Sequence, residues 1–329
     1  MSSVQYKIPV NPPFALGADV SWLPMMEADG FPFKDRNGEP KECLLTLKEF
    51  GLNAVRLRAF INPSDDHHSG HCSTEETLAM GLRAQKLGFD VMVDFHYGDS
   101  WRDPNNQRKP DAWEKLSFDD LLKAVFNYTQ GAMRAFIAGG LTPKWAQIGN
   151  ETNPGLLVPD GDTDHFDQLT KIYNAGHDAV KSISPQTQTM IHLAEGNKTD
   201  FLINYFDELT RHDCRYDMIG LSYYPWWLKT TNREIINGLE QSLNELPIRY
   251  NKDIMVVETG GEDDKEQESY DLLASVLEKC AAAPRCRGMF YWEPEGAKAW
   301  SRYGLSAWRG DGTPSMAMDA YLLASQQER

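Results

Sequence analysis

The sequence of 329 residues predicts a single (β/α)8 barrel, in which eight parallel strands alternate with helices. Eight short β-rich runs, each followed by helical periodicity, recur from one end of the chain to the other. No linker, low-complexity stretch or charge block divides them, so we expect one domain over residues 1–329, with the barrel proper at about 14–325. An open doubly wound sheet is the rival fold, but the early stretch Gly17-Ala18-Asp19 lacks the GxGxxG spacing that such a sheet would use for a ligand.

The predicted elements follow one another without interruption. The strands are expected at residues 15–20, 54–60, 89–97, 145–149, 187–193, 218–223, 253–258 and 288–292. The helices are expected at residues 41–50, 74–87, 118–138, 166–182, 199–210, 234–246, 265–282 and 316–325. Ser73 and Glu76 have the spacing of a capping box before the second helix, and Gly139-Gly140 ends the third.

The composition is that of a globular protein with an acidic surface. Lys and Arg number 33 against 48 Asp and Glu, which gives a net charge of −15 and disfavours nucleic acid or an anionic membrane as partner. The sequence contains no run of about 18 apolar residues, so it predicts no membrane-spanning helix. The start MSSVQYKIPVNPPF has no apolar core of the kind a secretory signal needs, but a trimmed signal leaves the compartment open.

We expect neither a metal nor a cofactor, because the residues that could bind one lack the spacing of a binding site. The cysteines form no CxxC pair, and Cys280 and Cys286 are either a small disulfide loop or reduced thiols. Two clusters have metal-like density but fit no ligand spacing, and a solvated loop and an acidic helix N-terminus explain them more simply. They are His67, His68, His71 and Cys72, and Asp160, Asp162, Asp164 and Asp167.

The ends of the predicted strands carry polar and aromatic side chains. In such barrels the active site lies at the C-terminal ends of the strands. Those ends hold Asp19, Arg58, Asp94, His96, Asn150, Glu151, Tyr223, Glu258 and Trp292. Because side chains alternate along a strand, three sets are each expected to share a face: Arg56 with Arg58, Asp94 with His96, and Gln147 with Gly149 and Glu151.

Glu151 and Glu258 allow two interpretations. They can be salt-bridged rim carboxylates, held by Arg56 and Arg58, or the acid and nucleophile of glycoside hydrolysis. Tryptophans just after strand ends favour a groove in which sugar rings stack, rather than a purely structural role. These are Trp22, Trp101, Trp226, Trp227 and Trp292.

Longer stretches of the sequence carry a family resemblance that covers the whole barrel. They are GADVSWLPMMEADG at 17–30, NAVRLRAF at 53–60, VMVDFHYGDSWRDPNNQRKPDAW at 91–113, QIGNETNPGLL at 147–157, GLSYYPWW at 220–227, VVETG at 256–260 and FYWEPE at 290–295. On these motifs the chain resembles glycoside hydrolase family 53, the endo-β-1,4-galactanases, which are retaining barrels with catalytic glutamates on strands four and seven.

The resemblance implies a role for each matching residue. Glu151 resembles the general acid/base and Glu258 the nucleophile of a double displacement, which requires carboxyl groups about 5–5.5 Å apart. The residues implied at the substrate are Arg58, His96, Trp101, Asn150, Tyr223 and Trp292, together with Asp19 and Asp99. The chain departs from the family pattern at Gly155-Leu156-Leu157-Val158 and in short loops after strands seven and eight, so the calcium of some relatives is not expected.

The predicted function is therefore a retaining endo-β-1,4-galactanase that acts on the type I arabinogalactan of plant pectin. The alternatives are a retaining endo-hydrolase of another β-linked glycan, such as mannan or xylan, and a non-catalytic glycan-binding barrel. The expected partner is the neutral polysaccharide, and the protein is expected to be a monomer. The resemblance implies a secreted or periplasmic location.

Overall fold

Eight strands, hydrogen-bonded in chain order, close into a barrel, which confirms the predicted (β/α)8 fold class. The computed structural model describes residue 8, residues 13–64, residue 66 and residues 68–325. The strands are β1 (Ala15–Asp19), β2 (Ala54–Ala59), β3 (Asp90–Phe95), β4 (Trp145–Ile148), β5 (Gln188–Leu193), β6 (Met218–Tyr223), β7 (Asp253–Thr259) and β8 (Cys286–Trp292).

Helices alternate with these strands along the chain. They are α1 (Leu23–Ala28), α2 (Cys43–Glu49), α3 (Thr74–Lys86), α4 (Phe118–Gly139), α5 (Phe166–Ile183), α6 (Thr199–Arg211), α7 (Asn232–Tyr250), α8 (Glu266–Ala282), α9 (Lys298–Ser301) and α10 (Asp319–Ser325). The short helices α1 and α9 and a 3-10 turn at Asp111–Trp113 were not predicted, and the helix predicted from residue 316 starts as a 3-10 turn over Met316–Met318.

The predicted helix ends are confirmed by their capping contacts. The Ser73 hydroxyl accepts a hydrogen bond from the Glu76 N–H at 3.2 Å, and the Glu76 carboxylate accepts one from the Ser73 N–H at 2.8 Å. At the other end of a helix, Gly140 has a φ of 94°, a left-handed conformation that glycine adopts without a steric penalty.

The chain divides into two compact units. The first comprises residues 1–54, 195–199 and 222–329, and the second comprises residues 55–194 and 200–221. In the first unit β1 pairs in parallel with β8, from Ala15 opposite Gly288 to Asp19 opposite Trp292. In the second unit β3, β4, β5 and β6 pair in parallel in that order. The single-domain organisation expected from the sequence stays a prediction.

No helix in the described ranges is long and apolar enough to cross a membrane. The five cysteines are free thiols, and all except the half-buried Cys214 are buried.

A close backbone approach explains one glycine of β8. A Cβ added at Gly288 would lie 2.5 Å from the carbonyl oxygen of Ala15 and 2.7 Å from its Cβ, so the β1–β8 pair leaves no room for a side chain. By contrast, Gly131 lies exposed in the interior of α4, where an added Cβ would have no neighbour within 4 Å.

This contrast gives opposite predictions for the same substitution. Gly288→Ala should destabilise the protein by at least about 1–3 kcal/mol, because the added methyl group overpacks the backbone. Gly131→Ala should stabilise it by about 0.5–1 kcal/mol, because alanine loses less conformational entropy in a helix. Urea unfolding of both variants beside the parent measures the difference, and equal shifts for the two would contradict the packing of β1 against β8.

Candidate active site

A buried arginine joins three strand ends in the second unit. Arg56, on β2, is fully buried and donates from Nη2 to Asp94 Oδ2 at 2.8 Å and to Asn150 Oδ1 at 2.7 Å. Its Nε donates to Gln147 Oε1 at 3.2 Å. Because both charges of the Arg56–Asp94 pair are removed from water, the pair depends on hydrogen bonds such as these.

His96 is held as a neutral ring at the end of β3. Its Nδ1 accepts the Arg102 backbone N–H at 3.1 Å, so the other nitrogen, Nε2, carries the proton, and Nε2 lies 2.9 Å from Asp94 Oδ2. Burial lowers the pKa of His96 below its ordinary value, and the contact with Asp94 opposes this only in part. The prediction that Asp94 and His96 share a face agrees with this contact.

Two further predicted site residues of the second unit are an arginine and a tryptophan in contact. The guanidinium of Arg58 lies over the Trp101 ring, 4.3 Å from its centroid, which is the geometry of a cation–π interaction. Arg58 is buried and Trp101 half-buried, so the indole keeps one accessible side.

Asp99 anchors the loops beside that pair. Its Oδ1 accepts the Asn62 N–H at 3.2 Å, and its Oδ2 accepts the Asp111 N–H at 2.9 Å. Since each carboxylate oxygen ties down a separate loop segment, the geometry points to a structural role for Asp99, and the predicted role at the substrate stays a prediction.

The turn that carries Glu151 corrects one expectation from the sequence. β4 ends at Ile148, and both Gly149 and Glu151 have left-handed backbones, with φ of 85° and 46°. The alternation of a strand therefore stops before Glu151, so the expected shared face of Gln147, Gly149 and Glu151 is wrong. The direction of the Glu151 side chain is determined by this turn instead.

In the first unit, two buried carboxylates hold the segment after β1. The Ser21 hydroxyl and N–H both donate to Asp19 Oδ1, at 2.6 and 3.1 Å. Glu293, which follows β8, accepts the Ser21 N–H at 3.2 Å and the Trp22 N–H at 3.1 Å. Trp22 is thus fixed through its backbone by the end of β8.

A third carboxyl, Glu295, lies against this pair. Burial and then the neighbouring carboxylate of Glu293 raise the pKa of Glu295 well above its ordinary value of 4.5, and Asp19 adds to the effect. Two carboxylates buried side by side repel each other, so this environment favours the neutral form of Glu295.

Aromatic side chains also follow the strand ends of the first unit. The Trp22 ring meets Trp292 edge-on at 5.0 Å between centroids, and Trp292 meets Tyr303 at 4.8 Å. After β6, Trp226 and Trp227 are 46% and 58% exposed, with ring centroids 4.5 Å apart. Large apolar side chains this exposed are typical of surfaces that bind ligands.

Tyr223 and Glu258 complete the predicted residues of the first unit. Glu258 is the sixth residue of β7 and is only 5% exposed. The Tyr223 hydroxyl donates to Asn232 Oδ1 of α7 at 2.7 Å, and burial raises its pKa. This contact points to a structural role for that hydroxyl, so the predicted role of Tyr223 at the substrate remains untested.

The predicted site residues fall into two sets, one in each compact unit. The second unit holds Arg58, His96, Asp99, Trp101, Asn150 and Glu151, and the first holds Asp19, Tyr223, Glu258 and Trp292. Four further buried polar residues were not among the predicted site residues, namely Gln107, His192, Glu293 and Glu295. His192 offered a usable signal, because it is a polar side chain in the otherwise apolar second half of β5.

No described group of three or more His, Cys, Asp or Glu residues is arranged to hold a metal ion. In the cluster of His67, His68, His71 and Cys72, His71 Nδ1 lies 2.7 Å from the Glu76 carboxylate. His67 lies outside the described residues. In the acidic cluster, Asp160 pairs with Lys109 at 2.7 Å.

A closed (β/α)8 barrel with buried polar networks and glutamates at the ends of β4 and β7 defines a class of enzyme, the barrel glycosidases. The family model described as glycosyl hydrolase family 53 matches residues 15–320. The chain belongs to this family and is a glycosidase.

Named relatives and solved structures agree with that membership. An arabinogalactan endo-beta-1,4-galactanase A of Emericella nidulans is 31% identical over 304 residues, which cover 84% of each chain. The family 53 catalytic domain of Ignisphaera aggregans superposes with a TM-score of 0.88 at 28% identity, over 98% of this chain and 99% of that one. A fungal beta-1,4-galactanase structure has a TM-score of 0.85 at 26% identity, over 93% and 98%.

The raised pKa of Glu295 predicts how stability depends on pH. The unfolded chain releases the Glu295 proton above about pH 4.5 while the folded protein keeps it, so this group lowers the free energy of unfolding as pH rises above that value. Glu295→Gln keeps a neutral donor and removes the penalty, so the variant should gain stability relative to the parent between about pH 5 and pH 8. The exposed Glu114, changed to Gln, is the matched control. Urea unfolding of the parent and of both variants at pH 5 and at pH 8 measures the difference in stability. A difference between Glu295→Gln and the parent that does not depend on pH would contradict the raised pKa of Glu295.

Proposed function

We propose that the protein is a retaining endo-β-1,4-galactanase that hydrolyses the β-1,4-galactan of type I arabinogalactan in plant pectin. The observation that carries the proposal is the family 53 match over residues 15–320, because the named relatives are galactanases. The Bacillus subtilis relative, an endo-beta-1,4-galactanase, is 29% identical over 312 residues. A neutral glycan needs no electrostatic steering, which is compatible with a net charge of −15.

The proposed reaction is a double displacement. Glu258 attacks the anomeric carbon while Glu151 gives its proton to the departing galactosyl oxygen, which leaves a covalent galactosyl-enzyme and a shortened chain. Glu151 then removes a proton from water, the water oxygen attacks the anomeric carbon, and Glu258 is released as a carboxylate.

The surroundings of the substrate are proposed from the same motifs. Asn150 is pre-oriented, since its Oδ1 accepts from Arg56 and its Nδ2 donates to the Arg102 carbonyl oxygen at 2.8 Å, and the second Nδ2 hydrogen can reach a sugar hydroxyl. The indoles of Trp101 and Trp292 are half-buried, so each can stack on the C–H face of a galactose ring.

The proposal also covers where the protein acts, its oligomeric state and whether it needs a metal. We propose that the protein acts outside the cytoplasm, as a secreted or periplasmic monomer, because its polysaccharide substrate is external to cells. We propose that no metal takes part, so activity on galactan should survive treatment with a chelator.

The catalytic assignment predicts loss of activity in two variants. Glu258→Ala should abolish turnover of linear galactan, because the carbon–oxygen bond to the enzyme cannot form. Glu151→Ala should lower it by about 10²–10⁴-fold, because the leaving sugar is no longer protonated. Reducing-end release measures both, with the exposed Glu114→Ala as control. Full activity in Glu258→Ala that has an unchanged melting temperature would refute the nucleophile.

Substrate and stereochemistry are tested separately. Among purified galactan, mannan and xylan, galactan should be cleaved fastest, and product sizing should show internal cleavage. Proton NMR during the first minutes should show the β-anomer of the new reducing end, as retention requires. Faster cleavage of mannan or xylan would favour the other glycan hydrolases, binding of galactan without turnover would favour a non-catalytic barrel, and an initial α-anomer would exclude the double displacement.

A further inference from the structure

The backbone of Glu151 is in a conformation that needs support. Its φ of 46° lies in the left-handed region, which for a residue with a Cβ costs about 1 kcal/mol or more. Such a conformation persists only where surrounding contacts hold it. The Asn153 N–H donates to the Glu151 carbonyl oxygen at 2.9 Å, and two buried side chains that have no part in the double displacement, Gln107 and His192, make further contacts.

Gln107 holds the carbonyl side of the turn. Its Nε2 donates to the Asn150 carbonyl oxygen at 2.6 Å and reaches the Glu151 carbonyl oxygen at 3.2 Å. A third carbonyl oxygen, of Asp103, lies 3.2 Å from the same nitrogen, so only the amide nitrogen fits this position. Gln107 is 4% exposed and its Oε1 has no hydrogen-bond partner among the described residues. Leaving a buried oxygen unsatisfied costs free energy, so the donor contacts outweigh it.

His192 holds the N–H side of the turn. The Glu151 N–H points to His192 Nδ1 at 3.4 Å, and that nitrogen also lies 3.0 Å from Gln147 Nε2 and 3.0 Å from Asn150 Oδ1. The His192 carbonyl oxygen accepts the Thr152 N–H at 3.0 Å. His192 is fully buried, and burial, followed by the charge of Arg56, lowers its pKa well below its ordinary value. A neutral ring can accept through Nδ1, whereas a protonated ring can only donate.

The residue after Glu151 is held as firmly. The Thr152 hydroxyl lies 2.5 Å from the Tyr173 hydroxyl, and the Thr152 carbonyl oxygen accepts the Tyr205 hydroxyl at 2.8 Å. Asn150, Glu151 and Thr152 therefore each have a backbone group held by a buried side chain.

We propose that Gln107 and His192 are positioning residues for Glu151, which hold its left-handed peptide so that its carboxyl reaches the departing sugar oxygen. This inference rests on the proposed function, in which Glu151 is the acid/base. An error of about 1 Å in such a group can lower a rate 10²-fold, because proton transfer needs hydrogen-bond geometry in the transition state.

The test compares two leaving groups. Galactan has a poor leaving group that must be protonated, whereas an activated aryl β-galactobioside releases its phenolate with little help from an acid. Gln107→Met keeps the size of the side chain and removes the donor. It should lower kcat/KM on galactan by about 10- to 100-fold and change kcat/KM on the aryl substrate by less than about threefold.

A matched variant controls for the substitution itself. Gln130 on α4 donates to the Ser182 hydroxyl at 2.9 Å and lies outside this network, so Gln130→Met should leave both substrates unaffected. An equal loss on galactan and aryl substrate in Gln107→Met would show a general structural defect and overturn the proposal. No loss on galactan would overturn it as well.

The second position keeps the proposal testable if Gln107→Met does not fold. His192→Leu removes the acceptor, whereas the side-chain oxygen of His192→Gln can still accept the Glu151 N–H. The leucine variant should lose galactan turnover selectively and the glutamine variant should recover at least part of it. If both lose both substrates equally, His192 has no positioning role.

Glu151→Ala in the same assays separates this inference from the proposed function. Selective loss on galactan in Glu151→Ala, without loss in the Gln107 and His192 variants, would overturn only the positioning role. Undiminished galactan turnover in Glu151→Ala would overturn the acid/base assignment itself.

Discussion

The buried Arg56–Asp94 ion pair is the constraint on which the rest of the second unit depends. Its guanidinium is completely removed from water, so each of its donors requires an acceptor at a fixed place. Those acceptors come from β3, from β4 and from the turn after β4, and removal of one partner of such a pair typically costs about 3–5 kcal/mol. Asn150 connects this ion pair to the candidate catalytic residue, because it accepts a hydrogen bond from Arg56 and directly precedes Glu151 in the chain.

Desolvation has opposite consequences for the two kinds of titratable group in the molecule. It keeps His96 and His192 neutral, so each ring offers a defined donor and acceptor instead of a charge. It also raises the pKa of Glu295 beside Glu293, where two full negative charges would repel one another. In both networks, burial determines which atom carries a proton, and the hydrogen bonds then determine where the side chain points.

The sequence predicted the barrel well because strand and helix periodicity are local signals. Most element bounds agree within one or two residues, and the capping box at Ser73 is present. The turn at Glu151 was not predictable in this way, because a single left-handed residue produces no periodic pattern in the sequence. Its conformation also depends on partners such as Gln107, which is 44 residues away in sequence. The raised pKa of Glu295 was missed because its largest cause is burial, which exists only in the folded chain.

The exposed pair of indoles after β6 also makes the intrinsic tryptophan fluorescence of the protein sensitive to ligands that bind there. Trp226 and Trp227 are the only exposed tryptophans among the described residues, whereas Trp145 and Trp308 are at most 3% exposed. Water-facing indoles emit at longer wavelength and are open to collisional quenchers, and buried indoles are not. Any ligand that covers this pair therefore changes the red edge of the intrinsic fluorescence and leaves the emission of the buried tryptophans unchanged.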